Sequence, residues 1–142
     1  MLKKLIGGTL GITALALIST SAQSEATGVW LTESKGAHVQ IYACDSKLCG
    51  KVVWLKEPND ENGKPKMDKH NEDESKRTLP IMGSVMIADM VFQGGNEWED
   101  GTIYNAEDGN TYSSDMVLVD EKTLKVSGCV LFFCTTQIWT RV

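Results

Sequence analysis

From Gly28 onward, apolar and polar positions alternate in short runs, and no stretch keeps a helical period over three turns. Gly28 to Glu33 reads as a first short strand. Val39, Ile41 and Ala43 alternate with His38, Gln40 and Tyr42 in a second, which ends at Cys44. After the turn Asp45-Ser46-Lys47-Leu48, Cys49 to Leu55 carries Val52, Val53, Trp54 and Leu55, a strand apolar on both faces or flanked by a loop. Val85 to Phe92 is a further apolar strand, Gly94-Gly95-Asn96 a turn, Glu97 to Glu99 a short strand, and Asp100-Gly101 a break. Thr102 to Asn105 and Thr111 to Val119 flank Glu107-Asp108-Gly109-Asn110, a hairpin turn. Leu124, Val126, Gly128 and Val130 alternate with Lys125, Ser127 and Cys129, and Thr135 to Arg141 closes the chain. Eight or nine short strands with close turn signals predict an all-β fold. Strands of this number and length suit a small antiparallel up-and-down β-barrel whose interior is filled by side chains or holds one small ligand. An open sandwich is the alternative.

One segment breaks the pattern. Lys56 to Arg77 holds 13 charged residues in 22, two prolines and almost no apolar side chains. It cannot form a core layer, so it is a long charged surface loop, with a helical turn around Glu72 to Lys76.

The start of the chain differs again. Lys3 and Lys4 precede an apolar run from Leu5 to Ile18, followed by the small residues Ser19, Thr20, Ser21 and Ala22. A basic start, an apolar middle and a small-residue cleavage zone make residues 1–22 a signal peptide. The apolar run is shorter than the roughly 20 residues that span a bilayer, which disfavours an uncleaved anchor. Beyond it, residues 27–142 read as a single barrel domain, periplasmic or extracellular, with no membrane span of its own. Losing Lys3 and Lys4 moves the formal charge from −5 to −7. A domain that acidic has no electrostatic footprint for nucleic acid, nor an attraction to anionic lipid.

The four cysteines form two pairs of equal spacing, Cys44/Cys49 and Cys129/Cys134. In an exported chain an even count reads as disulfides, and three connectivities are open. The local pairs are favoured, since each lies where two strands turn back on each other. A four-cysteine zinc site is the rival; its usual spacing is tighter and an oxidising compartment works against it.

Gly28-Val29-Trp30 opens the first strand and Trp139-Thr140-Arg141 ends the last. Neighbouring first and last strands would lay the Arg141 guanidinium over the Trp30 indole, a contact worth up to about 2 kcal/mol when desolvated. This pairing of ends resembles the calycin superfamily, the lipocalins and fatty-acid-binding proteins. A longer set of motifs runs Cys44-x4-Cys49-Gly50, Asp68-x2-Asn71, Arg77-x2-Pro80-x2-Gly83 and Trp98-x2-Gly101-x-Ile103-Tyr104. It continues through Asp108-Gly109-x2-Tyr112 and Gly128-Cys129-x4-Cys134 to Trp139-Thr140-Arg141. In that order the chain resembles the exported bacterial family called domain of unknown function 2147. The resemblance implies a lipocalin-like barrel in the periplasm or outside the cell, and it supplies no activity, substrate or catalytic residue.

The residues themselves carry no catalytic signature. His38 lies on the polar face of a strand and His70 in the charged loop, and neither is accompanied by a nucleophile elbow. Asp100 and Asp108 sit beside glycines, where acids hold turns. Asn59 to Gly63 lacks the alternating oxygen ligands of a calcium loop. Asp68, His70, Glu72 and Asp73 offer donors for a surface metal, but a charge run is more often only solvated. No cofactor and no metal are expected. The aromatic and methionine positions on strands suggest a small apolar or amphipathic ligand held against Trp54, Met86, Phe92, Tyr104 and Met116. The alternative is a protein–protein module of the cell envelope, in which the loop from Glu57 to Glu74 meets a basic partner of unknown identity.

Overall fold

A computed structural model of the protein describes residues 7–13 and 22–142. Ser19 to Ser21 of the cleavage zone, and residues 5–6 and 14–18 of the apolar run before it, lie outside the described residues. Eight antiparallel strands follow a 3-10 turn at Ala22–Ala26: β1 (Gly28–Leu31), β2 (Ala37–Cys44), β3 (Lys47–Leu55), β4 (Val85–Gly94), β5 (Glu97–Asn105), β6 (Asn110–Asp120), β7 (Thr123–Val130) and β8 (Phe133–Arg141). Each pairs with the next and β8 returns to β1, so the sheet is a closed up-and-down barrel. No helix among the described residues is long and apolar enough to cross a membrane.

The alternation places one row of each strand inside. Trp30, Val39, Ile41, Leu48, Ile87, Met90, Trp98, Met116, Leu124, Val126 and Trp139 form the buried core. Trp30, Trp98 and Trp139 have no exposed surface, so three indoles fill much of the interior. Where small residues line the wall, neighbours take the space. A Cβ added at Gly101 would strike the Met90 thioether, and one at Gly128 would press on Ile103.

Register shifts interrupt several strands, and three of them bear on the expected site and strand bounds. Val53 is an extra residue of β3, since His38 pairs with Trp54 and Val39 with Val52. Asp89 and Asp100 are the extra residues of β4 and β5, both with left-handed φ, at 57° and 61°. Asp100-Gly101 is therefore a bulge inside one continuous β5, not a break between two strands.

The strand ends divide the barrel into two unlike mouths. One end carries the turns β2–β3, β4–β5 and β6–β7 and is plugged by the Ala22–Ala26 turn, whose Ala26 is fully buried. Here β1 and β8 meet over only two pairs, Trp30 with Arg141 and Leu31 with Thr140. The Arg141 guanidinium stands 4.2 Å from the Trp30 ring centre. Its Nε donates to the Glu121 carbonyl at 2.6 Å, and its terminal nitrogens donate to the Thr27 and Glu25 carbonyls at 2.8 and 2.7 Å. Trp30 Nε1 donates to the Ala26 carbonyl at 2.9 Å. Gly28 takes φ +126°, and a side chain there would meet Arg141 at 2.7 Å, so the glycine before the tryptophan is the space the guanidinium needs.

Both disulfides are local. Cys44 bonds Cys49 across the β2–β3 turn, and Cys129 bonds Cys134 across the β7–β8 turn.

Removing the fork tests this closure. Arg141→Ala should cost about 2–4 kcal/mol, from a lost cation–π contact and three charge-assisted hydrogen bonds to carbonyls. Arg141→Lys should recover only part of it, because an ammonium lacks the planar fork. Denaturant unfolding of the two variants measures both; equal stability of Arg141→Ala and the parent would refute the role.

Candidate functional site

The other end of the barrel gathers the β1–β2 turn, the excursion between β3 and β4, the β5–β6 turn and the β7–β8 turn. The excursion is a folded unit, held by short bridges between Asn59 and Pro65 and between Met67 and Pro80. Asp73 caps a 3-10 turn at Glu74–Lys76 by accepting from Ser75 N, and the Ser75 hydroxyl, then that N–H, hold its carboxyl below the usual range.

One buried carboxylate fastens this segment to the barrel. Asp68 is 6% exposed and accepts from Tyr104 Oη at 2.6 Å and from Asn71 Nδ2 at 2.8 Å. Arg77 Nε donates to the Asn71 carbonyl at 2.7 Å, so Arg77 braces the same loop. The backbone of His70 lies so close to Gly109 that no side chain fits there. Ile103 packs on the core, so its neighbour Tyr104 faces outward, and the loop docks on the outer wall of β5 and β6. Burial, and then the Asp68 carboxylate, push the Tyr104 phenol up to about 12. Next to it Tyr112 donates to Asp108, which also accepts from Asn110 N at 2.8 Å. That pairing raises the Tyr112 phenol and lowers the Asp108 carboxyl.

Inside, the inward rows run past the core at this end. On β7 and β8, Leu124 faces Trp139, Val126 faces Gln137, Gly128 faces Thr135 and Val130 faces Phe133. Exposure along that row climbs from 2% at Val126 to 52% at Val130, and Phe133 is 82% exposed. Ser114 Oγ, below this open rim, and Trp98 Nε1, nearer the plugged end, are buried without a hydrogen-bond partner, polar groups whose desolvation is uncompensated. Ser114 lies opposite Gly101 on one side and Gly128 on the other, one step under Tyr112.

The five residues expected to line a ligand chamber do not share one. Trp54 is turned outward by the Val53 bulge and stacks on His38 with ring centres 4.3 Å apart, which corrects its placement inside. Tyr104 is likewise outside, held by the loop. Met116 is packed in the core, Phe92 rests on Trp98 with ring centres 5.5 Å apart, and Met86 lies against the core edge. Two surface depressions stand out among the described residues. One, of about 150 Å³, lies at the plugged end between Gln23, Thr27, Ser46 and Leu48, below the 300–1,000 Å³ usual for small-molecule sites. The other is an open concavity at the β6–β7 turn, and neither enters the barrel. Cys44, Cys49 and Asp89 stand close together, but the sulfurs are bonded to each other and offer no thiolate to a metal.

The apolar run Val130-Leu131-Phe132-Phe133 is not among the expected site residues. Its signal was available, since hairpin turns ordinarily hold Gly, Asn or Asp. The Asp68–Tyr104 bond joins residues 36 apart and had no local signal.

A closed eight-strand barrel, plugged at one end by a 3-10 turn and an Arg-over-Trp contact, is a lipocalin-like fold. A solved structure described as "Protein HP1028 from the human pathogen Helicobacter pylori belongs to the lipocalin family" is similar to it, with a TM-score of 0.74 and 21% identity over 82% of each chain. At that identity the likeness is one of fold. More narrowly, residues 28–141 match the family model described as an uncharacterized protein conserved in bacteria, domain of unknown function 2147, and the chain belongs to that family. A search of curated proteins finds no match.

Tyr104 gives the site a spectroscopic handle. Its folded phenol titrates above its ordinary value, so its contribution to stability is complete below about pH 10 and is lost as pH rises through about 12. In an absorbance titration of tyrosinate, Tyr104→Phe should remove the latest-ionising component. The same change leaves Asp68 without its phenol donor and should cost about 1–3 kcal/mol. Asp68→Asn should instead lower the Tyr104 transition by the part due to the carboxylate, while the larger part due to burial remains. An unchanged late component in either variant would contradict the assignment.

Proposed function

We propose that this protein is an exported, non-enzymatic barrel that binds a small apolar or amphipathic ligand at the open rim of its loop-bearing end. The observation that carries this reading is the inward row of β7 and β8, which leaves Val130 and Phe133 exposed just where the packed interior stops. Three fully buried indoles leave no deep chamber, so the ligand sits at the mouth. Its apolar part lies against Val130 and Phe133, and its polar end turns towards the unpartnered Ser114 hydroxyl. The two disulfides favour an oxidising compartment outside the cytoplasm. No nucleophile, activated base or open metal position accompanies the rim among the described residues, and the hydroxyl–carboxylate pairs beside it serve to hold loop and turn.

The test is titration of the purified protein with a fluorescent fatty-acid probe below its micelle concentration. Saturable binding should weaken on the order of tenfold in Phe133→Ser and in Val130→Ser, the loss expected for one apolar side chain taken from a contact. Trp54→Ala, on the outer wall, should leave it unchanged. Absence of saturable binding, or binding indifferent to both rim substitutions, would overturn the reading.

A further inference from the structure

The hairpin that ends the barrel reaches beyond the rim. Its two turn residues, Leu131 and Phe132, are 89% and 97% exposed and touch no part of the core. Leu131 has φ +52°, a left-handed conformation in which a branched side chain is strained and which hairpins ordinarily fill with glycine or asparagine. A large apolar side chain is thus kept at the tip against local preference. The Cys129–Cys134 disulfide lies directly behind it, so the tip is presented on a pinned hairpin.

The charge pattern says what meets it. From Val126 to Thr140 fifteen consecutive residues carry no charge, in a chain where 23% of residues are charged. The neighbouring loop Lys56 to Arg77 holds six basic and seven acidic residues, and with Glu33, Lys35, Glu107 and Asp108 of the adjoining turns this end carries a net charge of −3, so it offers no basic patch to an anionic surface. Val53, Trp54 and Val85 add side chains more than a third exposed at the same end. The tip is convex, and two turn side chains offer far less than the about 800 Å² per partner that a stable protein interface takes. A surface that accepts an apolar point without a complementary shape or charge is a bilayer.

We infer that Leu131 and Phe132 insert into the surface of an electrically neutral lipid bilayer and dock the barrel's open end on it. The inference goes beyond ligand binding at the rim, for the tip residues are not those that face the mouth.

Flotation with phosphatidylcholine vesicles tests it, using the chain from Gln23, which contains every strand and both disulfides. The protein should float with the vesicles to an extent that high salt does not lower. The double variant Leu131→Ser, Phe132→Ser should reduce its partition on the order of a hundredfold. Its thermal midpoint should equal or exceed the parent's, which shows that the loss is not unfolding. Leu131→Gly should raise the midpoint by relieving the left-handed strain while weakening flotation, two changes of opposite sign that a purely structural tip would not show. Failure of the parent to float, flotation indifferent to the double variant, or flotation only with anionic vesicles at low salt would each overturn the inference. So would a dimer, seen by sedimentation, that the double variant dissolves without any vesicle binding, since the tip would then belong to a second copy. Fatty-acid probe binding that persists in the double variant keeps the rim reading separate from this outcome.

Discussion

Barrel closure in this protein hangs on one arginine. β1 is four residues long and shares two register pairs with β8, so the seam has little backbone hydrogen bonding of its own. Arg141 compensates by committing its whole guanidinium there. One face lies on the Trp30 indole, and its nitrogens are taken up by carbonyls of the N-terminal turn and of the β6–β7 turn. A planar cation with several fixed donors is the side chain able to join three separate backbone segments at once. The seam is lightly paired elsewhere, where Ile138 N donates to the Glu33 carboxylate at 3.2 Å.

That closure separates the barrel into an end made for stability and an end left for contact. At the plugged end the polar groups of the Arg–Trp contact are satisfied and the indoles are dry. At the other end the polar groups fasten a highly charged segment through Asp68 and shape a turn through Asp108. The apolar groups there are left exposed. The protein therefore concentrates its unsatisfied apolar surface on β7 and β8, behind a disulfide that limits how far the hairpin can adapt.

The gap between sequence and structure has a single physical origin in the strands. Alternation reveals which residues share a face, but one inserted residue reverses the faces beyond it. Val53 moved Trp54 from the expected interior to the outer wall in this way. Asp100 looked like the end of a strand because an acid beside a glycine is a turn signal, whereas the closed sheet absorbs it as a bulge. The charged segment was legible as a loop from its composition, but its docking on β5 was not, because a 36-residue separation leaves no periodic trace. Of the candidate site, the sequence displayed Tyr104, Asp68 and Asn71 as separate motif positions. It showed the apolar β7–β8 turn without drawing attention to it.

What the amino-acid order determined alone was everything set by near neighbours. Strand alternation gave the all-β class, five-residue cysteine spacing across turns favoured the local disulfides that the structure then decided, and Gly-x-Trp with a terminal arginine pointed to adjoining ends. Such features arise from interactions within a hairpin or from residue types that admit few alternatives. Only the tertiary structure decided that the interior is filled, that the loop clings to the outer wall, and that the highly exposed Leu131, Phe132 and Phe133 stand at one mouth. Those outcomes depend on how eight strands coil around a common axis, and packing of that kind is a property of the closed sheet, not of any one segment.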